Sequence, residues 1–495
     1  MQAGRLESRV QITTSRAGPV GASQRLSDAN PDNMNTSYVN FRAEWKPPAV
    51  GLAIVFAGTI IGHAAVLRVP ADHATLQAAV KAAASGDEIL LSPGVHSEQV
   101  LIENKDLTLS GMPGAVIRAW REMTKSARSG WFNLVEVTHA TVTVRGIEFQ
   151  GEWLADALPA APGFSAISFN AANGTVEGCT IQGFRGAQSL GIISGVGIAT
   201  WNPTSLSSEP MEIKVLRNTL ADNALGVFLT GDWMDHPDQL RTTFTVEGNT
   251  ITGIGLTSLG TQYGLVIVCG AGGVVKGNHF AEFYHAAMST SDSGAILAYD
   301  MWGLIDSGHA RTELQPLRIE ENVFEENQEA IGAALANGST IARNRIHGMR
   351  AGLSSEGVLV SGTRITVAEN RFDGLSKGVV LVGDHAGWGT AFGIATNVTV
   401  AANRFCGVAT PVDHEPLTSQ IVETGSLLCP FPPPPVGISP AVLLAWPDDG
   451  QSHLLESAPS VEGPWAILDQ TPVFENGQAT VSVKADGQQR YFRLR

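Results

Sequence analysis

One short phrase recurs along the middle of the chain and constrains its fold more than any other feature. It reads apolar-x-apolar-x-x-Asn-x-apolar, and the interval between successive copies ranges from 22 residues (Asn322 to Asn344) to 44 residues (Asn278 to Asn322). The asparagines of the seven copies are Asn218, Asn249, Asn278, Asn322, Asn344, Asn370 and Asn403. Two earlier copies carry Ile147 and Cys179 at the same place. A repeat in this range is typical of a solenoid whose shortest unit is one coil of three short strands.

Each copy predicts two strands that meet at a corner. Apolar residues alternate on both sides of the asparagine, as they do in strands with one buried face. The corner requires a left-handed backbone conformation, which asparagine tolerates well, and asparagines stacked in successive coils can form a ladder of hydrogen bonds. The alternative, a set of unrelated strand-turn pairs, does not account for seven copies of one phrase. We therefore predict an all-β chain whose main domain is a right-handed parallel β-helix with three sheets.

The start of the predicted solenoid has a pattern of its own. An alanine-rich stretch at helical spacing runs from about Thr75 to Ala84, and Gly86 is placed to end it. Together with Gly86–Ile89 and Pro93–Glu98, this stretch resembles the first coil of the pectin-lyase-like superfamily, and the resemblance covers about residues 66 to 430. It implies a β-helix that is closed at its N-terminal end by a helix. It implies no particular activity, because this superfamily includes lyases, hydrolases, esterases, epimerases and inert spikes.

Residues 1–64 are predicted to be a leader and signal peptide. The uncharged apolar run Ala49–Ile61 follows Arg42 and Lys46 and precedes Gly62-His63-Ala64, whose small residues favour cleavage after Ala64. Met34 would be the true start of an ordinary signal peptide. The run is short for a membrane span, so an uncleaved anchor is the less favoured alternative, and no stable span is expected after cleavage. We expect a secreted, periplasmic or cell-surface protein.

Four cysteines do not make a disulfide scaffold for a chain of 495 residues. Cys406 and Cys429 lie close in sequence near the end of the solenoid, and they can form a disulfide if the protein is exported. Cys179 and Cys269 are interpreted as buried thiols.

The chain changes character after the solenoid, which we place at residues 65–429. Residues 430–435 form a stiff proline-rich linker. Residues 436–495 contain short alternating segments separated by Asp449-Gly450, Asn476-Gly477 and Asp486-Gly487, which favours a small β-sandwich-like module. This segment resembles small C-terminal β modules of exported bacterial proteins. It could bind glycan, retain the protein at a surface or cap the solenoid.

The charge of the chain excludes one class of partner. The net charge is −15, whereas a nucleic-acid-binding protein needs a basic surface. The acidic balance is typical of a solubilising surface, and it does not exclude an anionic substrate in a local basic groove.

A third strand follows the two strands of each coil and often begins with glycine. Four long segments follow such strands, at about residues 201–211, 231–241, 300–316 and 383–396, and should leave one edge of one sheet. Each segment carries one tryptophan, whose indole face can pack on a sugar ring. A groove floored by the third sheet would then run beside these loops.

Acidic and histidine side chains accompany the last three of these tryptophans, and Arg241 and Arg311 are nearby. Carboxylates and histidine can perform acid–base chemistry, and arginine can bind uronates. The predicted catalytic residues are Asp232, Asp235, His236, Asp300, Asp384 and His385. The predicted substrate-binding residues are Trp201, Trp233, Arg241, Trp302, Arg311 and Trp388. The alternatives are that the tryptophans anchor their loops and that the aspartates serve as ordinary turn residues.

The sequence lacks the activity motifs of the superfamily. It has no aspartate pairs of the polygalacturonase kind, no clear calcium cluster with arginine of the pectate-lyase kind, and no zinc-binding spacing. No cofactor follows from any motif, although Ca²⁺ held by loop carboxylates would suit a lyase. We therefore expect a carbohydrate-active protein with a polysaccharide or oligosaccharide as its partner. It is either a lyase or glycoside hydrolase that acts on an acidic glycan, or a non-catalytic glycan-binding or surface-structural protein.

Overall fold

The computed structural model describes residues 64–151, 163–185, 195–201, 209–231, 242–257, 261–285, 293–299, 314–348, 354–384 and 393–429, and then 441–447, 455–458, 464–467, 473–475, 478–484 and 491–494. The predicted signal peptide up to residue 63 and the linker at 430–435 lie outside these residues. Within the described ranges, no helix has the length and apolar character needed to cross a membrane.

Most strands belong to three long parallel sheets, with strands numbered in chain order. The first sheet contains β1 (Val66–Val69), β2 (Glu88–Leu91), β5 (Leu107–Gly111), β8 (Thr141–Arg145), β11 (Asn173–Glu177), β14 (Met211–Leu216), β17 (Thr242–Glu247), β20 (Gly272–Lys276), β23 (Leu317–Glu320), β26 (Thr340–Ala342), β29 (Gly362–Ala368), β32 (Ala395–Ala401) and β35 (Val422–Thr424). The second contains β3 (Gly94–His96), β6 (Ala115–Arg118), β9 (Glu148–Gln150), β12 (Thr180–Gln182), β15 (Thr219–Ala221), β18 (Thr250–Thr257), β21 (His279–His285), β24 (Val323–Glu325), β27 (Arg345–His347), β30 (Arg371–Asp373), β33 (Arg404–Cys406) and β36 (Leu427–Cys429). The third contains β4 (Val100–Glu103), β7 (Phe132–Thr138), β10 (Phe164–Asn170), β13 (Val196–Trp201), β16 (Leu225–Thr230), β19 (Tyr263–Val268), β22 (Gly294–Tyr299), β25 (Glu329–Ala333), β28 (Glu356–Val360), β31 (Lys377–Leu381) and β34 (Thr410–His414).

Each coil contributes one strand to each sheet in turn. The chain passes from β14 in the first sheet to β15 in the second and β16 in the third, and it then returns to the first sheet as β17, which pairs with β14 in parallel register. This arrangement is a parallel β-helix, as the repeat predicts. The strands before and after each repeat asparagine belong to the first and second sheets, and the glycine-led strands form the third.

The asparagine ladder runs along the corner between the first and second sheets and confirms the prediction. In each step, the backbone N–H and the Nδ2 amide of one asparagine both donate to Oδ1 of the next, at 2.8–3.1 Å. Nδ2 also donates to a backbone carbonyl of the preceding coil, as Asn322 does to Val275 at 2.9 Å. The asparagines are buried, and those inside the ladder use both lone pairs and both amide protons.

Two shorter side chains end the ladder. At its N-terminal end, the backbone N–H of Cys179 donates to Asn218 Oδ1 at 2.8 Å, and Cys179 Sγ lies 3.7 Å from the carbonyl of Val144. Burial raises the pKa of the Cys179 thiol to about 11, so the thiol keeps its proton and can donate. At the C-terminal end, Asn403 donates from its backbone N–H to Ser426 Oγ at 3.3 Å.

The left-handed residue at each corner is the one before the asparagine, which corrects our expectation that asparagine itself adopts this conformation. φ is +53° at Arg217, +60° at Glu321 and +57° at Glu369. Glycine takes the same place before Asn249 and Asn278. Asparagine therefore occupies the corner because its side chain joins neighbouring coils. The residue before it is the one that must adopt the left-handed backbone conformation.

The interior of the solenoid is filled by stacked apolar side chains. From β9 to β33, each second-sheet strand places a core residue in the interior; these residues include Phe149, Ile181, Leu220, Ile251, Phe280, Phe324, Ile346, Phe372 and Phe405. The rings of Phe280 and Phe324 stack with centroids 5.2 Å apart, and those of Phe372 and Phe405 stack at 4.9 Å. Burial of these side chains supplies the main favourable term of folding.

One short helix, α1 (Leu76–Ala82), precedes the second coil and is shorter than predicted. Thr75 is its N-cap, and the Thr75 side chain accepts a hydrogen bond from the backbone N–H of Ala78. The Glu98 carboxylate accepts two further N–H groups of the first turn, from Leu76 at 2.9 Å and Gln77 at 3.3 Å. These contacts satisfy the N–H groups that a helix start leaves without partners.

The C-terminal end of α1 is capped by a lysine, which corrects the role predicted for Gly86. Lys105 Nζ donates to the carbonyls of Val80 and Lys81 at 3.0 Å and of Ala83 at 2.7 Å. A cation at this end also interacts favourably with the helix dipole. Gly86, with φ of +95°, lies in the turn that follows.

Cys406 and Cys429 form a disulfide, as predicted, between β33 and β36. Cys179 and Cys269 are buried and form no disulfide. Beyond the β-helix, the described strands form two antiparallel three-stranded sheets. Their strands are β37 (Ala441–Pro447), β38 (Leu455–Ala458), β39 (Ala466–Ile467), β40 (Val473–Glu475), β41 (Gln478–Lys484) and β42 (Tyr491–Leu494). Strand β40 has three residues and pairs with β41.

Substitution of Asn322 by alanine should lower the free energy of unfolding by about 3 kcal/mol, because a buried N–H of Asn278 loses its acceptor and the carbonyl of Val275 loses its donor. Chemical denaturation followed by circular dichroism measures the change. Thr366→Ala, at a partly exposed strand position, is the control and should change the value by less than about 0.5 kcal/mol. Equal effects of the two substitutions would show that the ladder does not stabilise the coils.

Substitution of Ala402 by glycine should raise the free energy of unfolding by about 1 kcal/mol, because Ala402 is held at a φ of +54°, where a Cβ atom is strained. The neighbouring substitution Ala401→Gly lies within β32 and should destabilise by about 0.5–1 kcal/mol. The same denaturation measurement compares the two. A loss of stability in both variants would contradict the assigned corner geometry.

Candidate functional site

The strands of the third sheet end along one line. In the register of this sheet, Thr230 of β16 lies opposite Val268 of β19, and Val268 lies opposite Tyr299 of β22. We define the loop edge as the C-terminal ends of β13, β16, β22 and β31, from which the four long segments leave the sheet. From β13 to β31 there are six strand spacings. At ~4.8 Å for each spacing, the loop edge extends over ~29 Å.

Only two of the twelve predicted catalytic and substrate-binding residues, Trp201 and Asp384, belong to the described part of the chain. The other ten lie outside the described residues, and their roles stay predictions. They are Asp232, Trp233, Asp235, His236, Arg241, Asp300, Trp302, Arg311, His385 and Trp388.

Trp201 is half-buried at the loop edge and packs against other aromatic rings. Its ring centroid lies 4.7 Å from that of Trp131, edge to face, and 5.4 Å from that of Phe228. Both partners are buried on the outer face of the third sheet. The contacts favour hydrophobic anchoring over sugar stacking for this tryptophan.

Asp384 is exposed, and its backbone N–H donates to the carbonyl of Pro416 at 3.0 Å. It follows β31, whereas Gly231, the residue before Asp232, follows β16, five strand spacings away. Five spacings correspond to ~24 Å. A catalytic pair of carboxylates in a glycosidase is separated by about 5–9.5 Å. The points at which these two segments leave the sheet are therefore farther apart than the two carboxylates of one catalytic pair.

The middle of the outer face of the third sheet is apolar and buried, in contrast to the open groove floor that the sequence suggested. Leu225, Phe228, Tyr263, Val266 and Tyr299 all belong to one hydrophobic cluster on this face. All residues of β16 and β19 are buried, so these strands are covered on both sides. The sequence signal for this was present, because continuous apolar strands such as Tyr263–Val268 are typical of parallel sheets with two covered faces.

Polar side chains replace this apolar surface at the N-terminal end of the same face. We define the polar cluster as Asn133, Glu136, Ser165, Ser168 and Asn170, which are all buried in β7 and β10. Asn170 Nδ2 donates to Glu136 Oε1 at 2.8 Å, and Ser165 Oγ donates to Asn133 Oδ1 at 2.7 Å. The sequence reasoning did not identify this cluster. Polar residues with the same spacing in two otherwise apolar strands, at Asn133 and Glu136 and again at Ser165 and Ser168, were the available signal.

Charged side chains occupy the C-terminal end of this face. Lys377 Nζ lies 2.9 Å from Asp413 and 3.5 Å from Glu356. Burial acts to lower the pKa of Lys377, but the hydrogen bond to Asp413 and the nearby Glu356 outweigh it, so the pKa is raised. Lys377 is therefore a charged structural partner of two carboxylates and is unsuited to act as a base.

Tyr299 is the aromatic residue at the end of β22, directly before the predicted catalytic residue Asp300. Burial and then the nearby Cys269 raise the pKa of its hydroxyl to about 12. The phenol therefore stays protonated at neutral pH and can donate a hydrogen bond, but it cannot serve as a base without strong activation.

The described residues contain no group of three or more His, Cys, Asp or Glu side chains arranged to hold a metal ion. Whether the loop carboxylates hold Ca²⁺ is a question for residues beyond the described ranges, and it stays a prediction.

Comparisons with known proteins give matches of structure only. No family model matches the chain, and no curated protein matches its sequence. Among solved structures, the chain is similar to PfbA, a surface adhesin of Streptococcus pneumoniae, at 10% identity and a TM-score of 0.48, with 85% of this chain and 99% of that chain covered. It is also similar to the A-module of the mannuronan C-5 epimerase AlgE4 of Azotobacter vinelandii at 14% identity and a TM-score of 0.45, with 73% and 94% covered. A third similarity is to an alginate lyase from Paenibacillus sp. str. FPU-7, at 14% identity and a TM-score of 0.33, with 74% and 96% covered.

At such low identity and structural overlap, these similarities carry no argument about activity. The three parallel sheets themselves establish the fold that the first-coil resemblance implied. The fold does not select one function, so the site must be argued from its own residues.

Substitution of Trp201 by alanine should lower the free energy of unfolding by about 3 kcal/mol, because the ring contacts with Trp131 and Phe228 are lost and leave a cavity. Trp201→Phe keeps an aromatic ring and should lose less than half as much. Chemical denaturation of the two variants measures the difference. Unchanged stability in Trp201→Ala would contradict the anchoring role.

Proposed function

We propose that this protein is an exported enzyme that degrades an acidic polysaccharide, as a lyase or a glycoside hydrolase, with the glycan lying along the loop edge. The observation that carries the proposal is the register of the third sheet, which starts four inserted segments from one edge over ~29 Å. These segments contain the tryptophan, acidic, histidine and arginine residues predicted from sequence. A line of this length suits an extended polymer better than a small molecule.

The spacing of the loop starts suggests a division of labour along the glycan. Gly231 follows β16 and Tyr299 ends β22, two strand spacings apart. This separation, ~10 Å, allows Asp232 or Asp235 to meet Asp300 across one glycosidic bond. Asp384, His385 and Trp388 would then bind the glycan at a more distant position. In a lyase, arginine or Ca²⁺ would neutralise the uronate carboxylate while a loop residue removes the proton.

The disulfide between Cys406 and Cys429 supports export, because such bonds persist in oxidising compartments. A secreted, periplasmic or cell-surface location suits a protein that meets polysaccharides outside the cell.

A second candidate function is a non-catalytic glycan-binding or surface-structural protein. The buried apolar middle of the third sheet favours it, because this surface offers no titratable groups along β16 and β19 other than Tyr263. Under this alternative, the loop tryptophans bind glycan without bond cleavage.

The test is an assay of the purified full chain on polygalacturonate, alginate and a neutral glucan, with absorbance of new double bonds and reducing ends as readouts. We expect turnover of at least one uronate polymer. Asp232→Asn and Asp300→Asn should each lower kcat by about 10²–10⁴-fold, as loss of an acid–base group does. Asp384→Asn should raise KM and leave kcat within about threefold, because its position is too distant for chemistry.

The outcomes separate the two functions. Saturable binding of a uronate polymer without any turnover would favour the binding protein over the enzyme. Equal losses of kcat in Asp384→Asn and Asp232→Asn would contradict the division of labour along the loop edge. If the protein neither binds nor cleaves any of the three polymers, the proposal as a whole is overturned.

A further inference from the structure

A cleft borders the polar cluster at the N-terminal end of the third sheet, away from the loop edge of β13 to β31. Its volume is about 210 Å³. It is lined by β4, by the segment 124–128, and by Asn133 and Glu136 of β7. The volume lies below the ~300–1,000 Å³ of sites for drug-sized ligands, so the cleft suits a single small polar ring.

The amide side chains of the cleft wall are already engaged within the protein. Gln77 pairs with both the N–H and the carbonyl of Leu101, and Gln99 pairs with both the N–H and the carbonyl of Thr124. The Asn133 amide donates to Ser129 Oγ at 3.0 Å. These groups therefore shape the cleft and hold its walls in place, and they are not free for a ligand.

Glu136 is the exception in this wall. Its side chain is oriented through Oε1, which accepts from Ser126 Oγ at 2.9 Å and Asn170 Nδ2 at 2.8 Å. Among the described residues, Oε2 receives no hydrogen bond and no cation pairs with the carboxylate, although Glu136 is only 7% exposed and lines the cleft. A buried carboxylate without a countercharge is costly, so its free oxygen favours a donor from a ligand.

Two other buried glutamates of the described chain are paired with arginine, and buried Asp87 accepts a backbone N–H at each carboxylate oxygen. Glu320 pairs with both Arg318 and Arg343, and Glu456 pairs with Arg493 at 2.7 Å. Glu136 therefore differs from these buried carboxylates, because within the described part of the chain it has no cation and one of its oxygens accepts no hydrogen bond.

A cation stands at the rim of the same cleft. Lys125 is exposed, its Nζ lies 5.8 Å from the centroid of the Phe132 ring, and it forms no ion pair with any described carboxylate. Arg128, also at the rim, is paired with Glu103. The cleft thus presents one free acceptor inside and one free cation at its mouth.

From this geometry we propose that the cleft binds a single hexuronate residue, with Glu136 Oε2 accepting ring hydroxyls and Lys125 binding the uronate carboxylate. The proposal extends the proposed function, since it concerns the same class of glycan. It adds a subsite that is separate from the loop edge. Glu329, a buried carboxylate on the same sheet face, lies six strand spacings from Glu136. A chain end or a side branch of the glycan would occupy the subsite.

The test is calorimetric titration of the full-length chain with sodium glucuronate, and with glucose as the neutral comparison. Wild-type protein should bind glucuronate saturably. Glu136→Gln should weaken glucuronate binding by about tenfold, because a charge-assisted hydrogen bond is lost. Lys125→Ala should weaken glucuronate binding by about tenfold and leave glucose binding within about twofold. Glu329→Gln changes a comparably buried carboxylate, 5% exposed and ~29 Å along the sheet, and should have no effect.

Glutamine keeps an acceptor oxygen for Ser126 and Asn170, so Glu136→Gln should fold, and its Tm checks this. If it does not fold, Lys125→Ala carries the test, because Lys125 is exposed. Absence of saturable glucuronate binding to wild type, or unchanged binding in the folded variants, would overturn the proposal. Turnover of a uronate polymer without glucuronate binding would remove the subsite and keep the proposed function. Glucuronate binding that depends on Glu136, with no polymer bound or cleaved, would support the subsite and contradict the proposed function.

Discussion

The asparagine ladder is the interaction on which the geometry of this protein depends. Each inner asparagine donates to the next coil and to the coil before it, so three successive coils are joined through one buried side chain. A slip of one residue in any coil would leave buried amides without partners, and this cost fixes the register. The interval between asparagines varies from 22 to 44 residues without disturbing the ladder. Inserted segments are therefore confined to places where they do not change the stacking.

This constraint also keeps the strands of the third sheet aligned. Because the corner between the first two sheets is fixed, the strands of the third sheet stack in register whatever segment follows them. Segments of different length then start from aligned points, at spacings set by the sheet. A polymer with a regular repeat can be contacted at successive points along such a line. The apolar face beside it, with Phe228 and Tyr263 buried, gives rigidity to the edge but no chemistry.

The sequence predicted the features that repeat and missed those that occur once. The asparagines, the third strands and the Cys406–Cys429 disulfide followed from spacing. The conformation of the corner did not, because left-handed φ values fall on residues as different as Arg217 and Ala402, which have no shared side-chain chemistry. Lys105 as the helix cap and Glu136 at the cleft were missed for another reason. Each acts on residues from a neighbouring coil, and only the stacking brings them together.

The same stacking sets the standard by which a functional group can be recognised in this fold. A β-helix places every outward side chain between two neighbours of known register, so partners for buried charges are readily supplied. Glu320 pairs with Arg318 of its own strand β23 and with Arg343, which follows β26 in the next coil, and the ladder asparagines satisfy one another. Against this background, Glu136 stands out, because two hydrogen bonds fix one oxygen and leave the other facing a cleft. A regular scaffold that pairs Glu320 and Glu456 with arginine gains nothing in stability from such an arrangement, which is why a ligand is the better explanation for it.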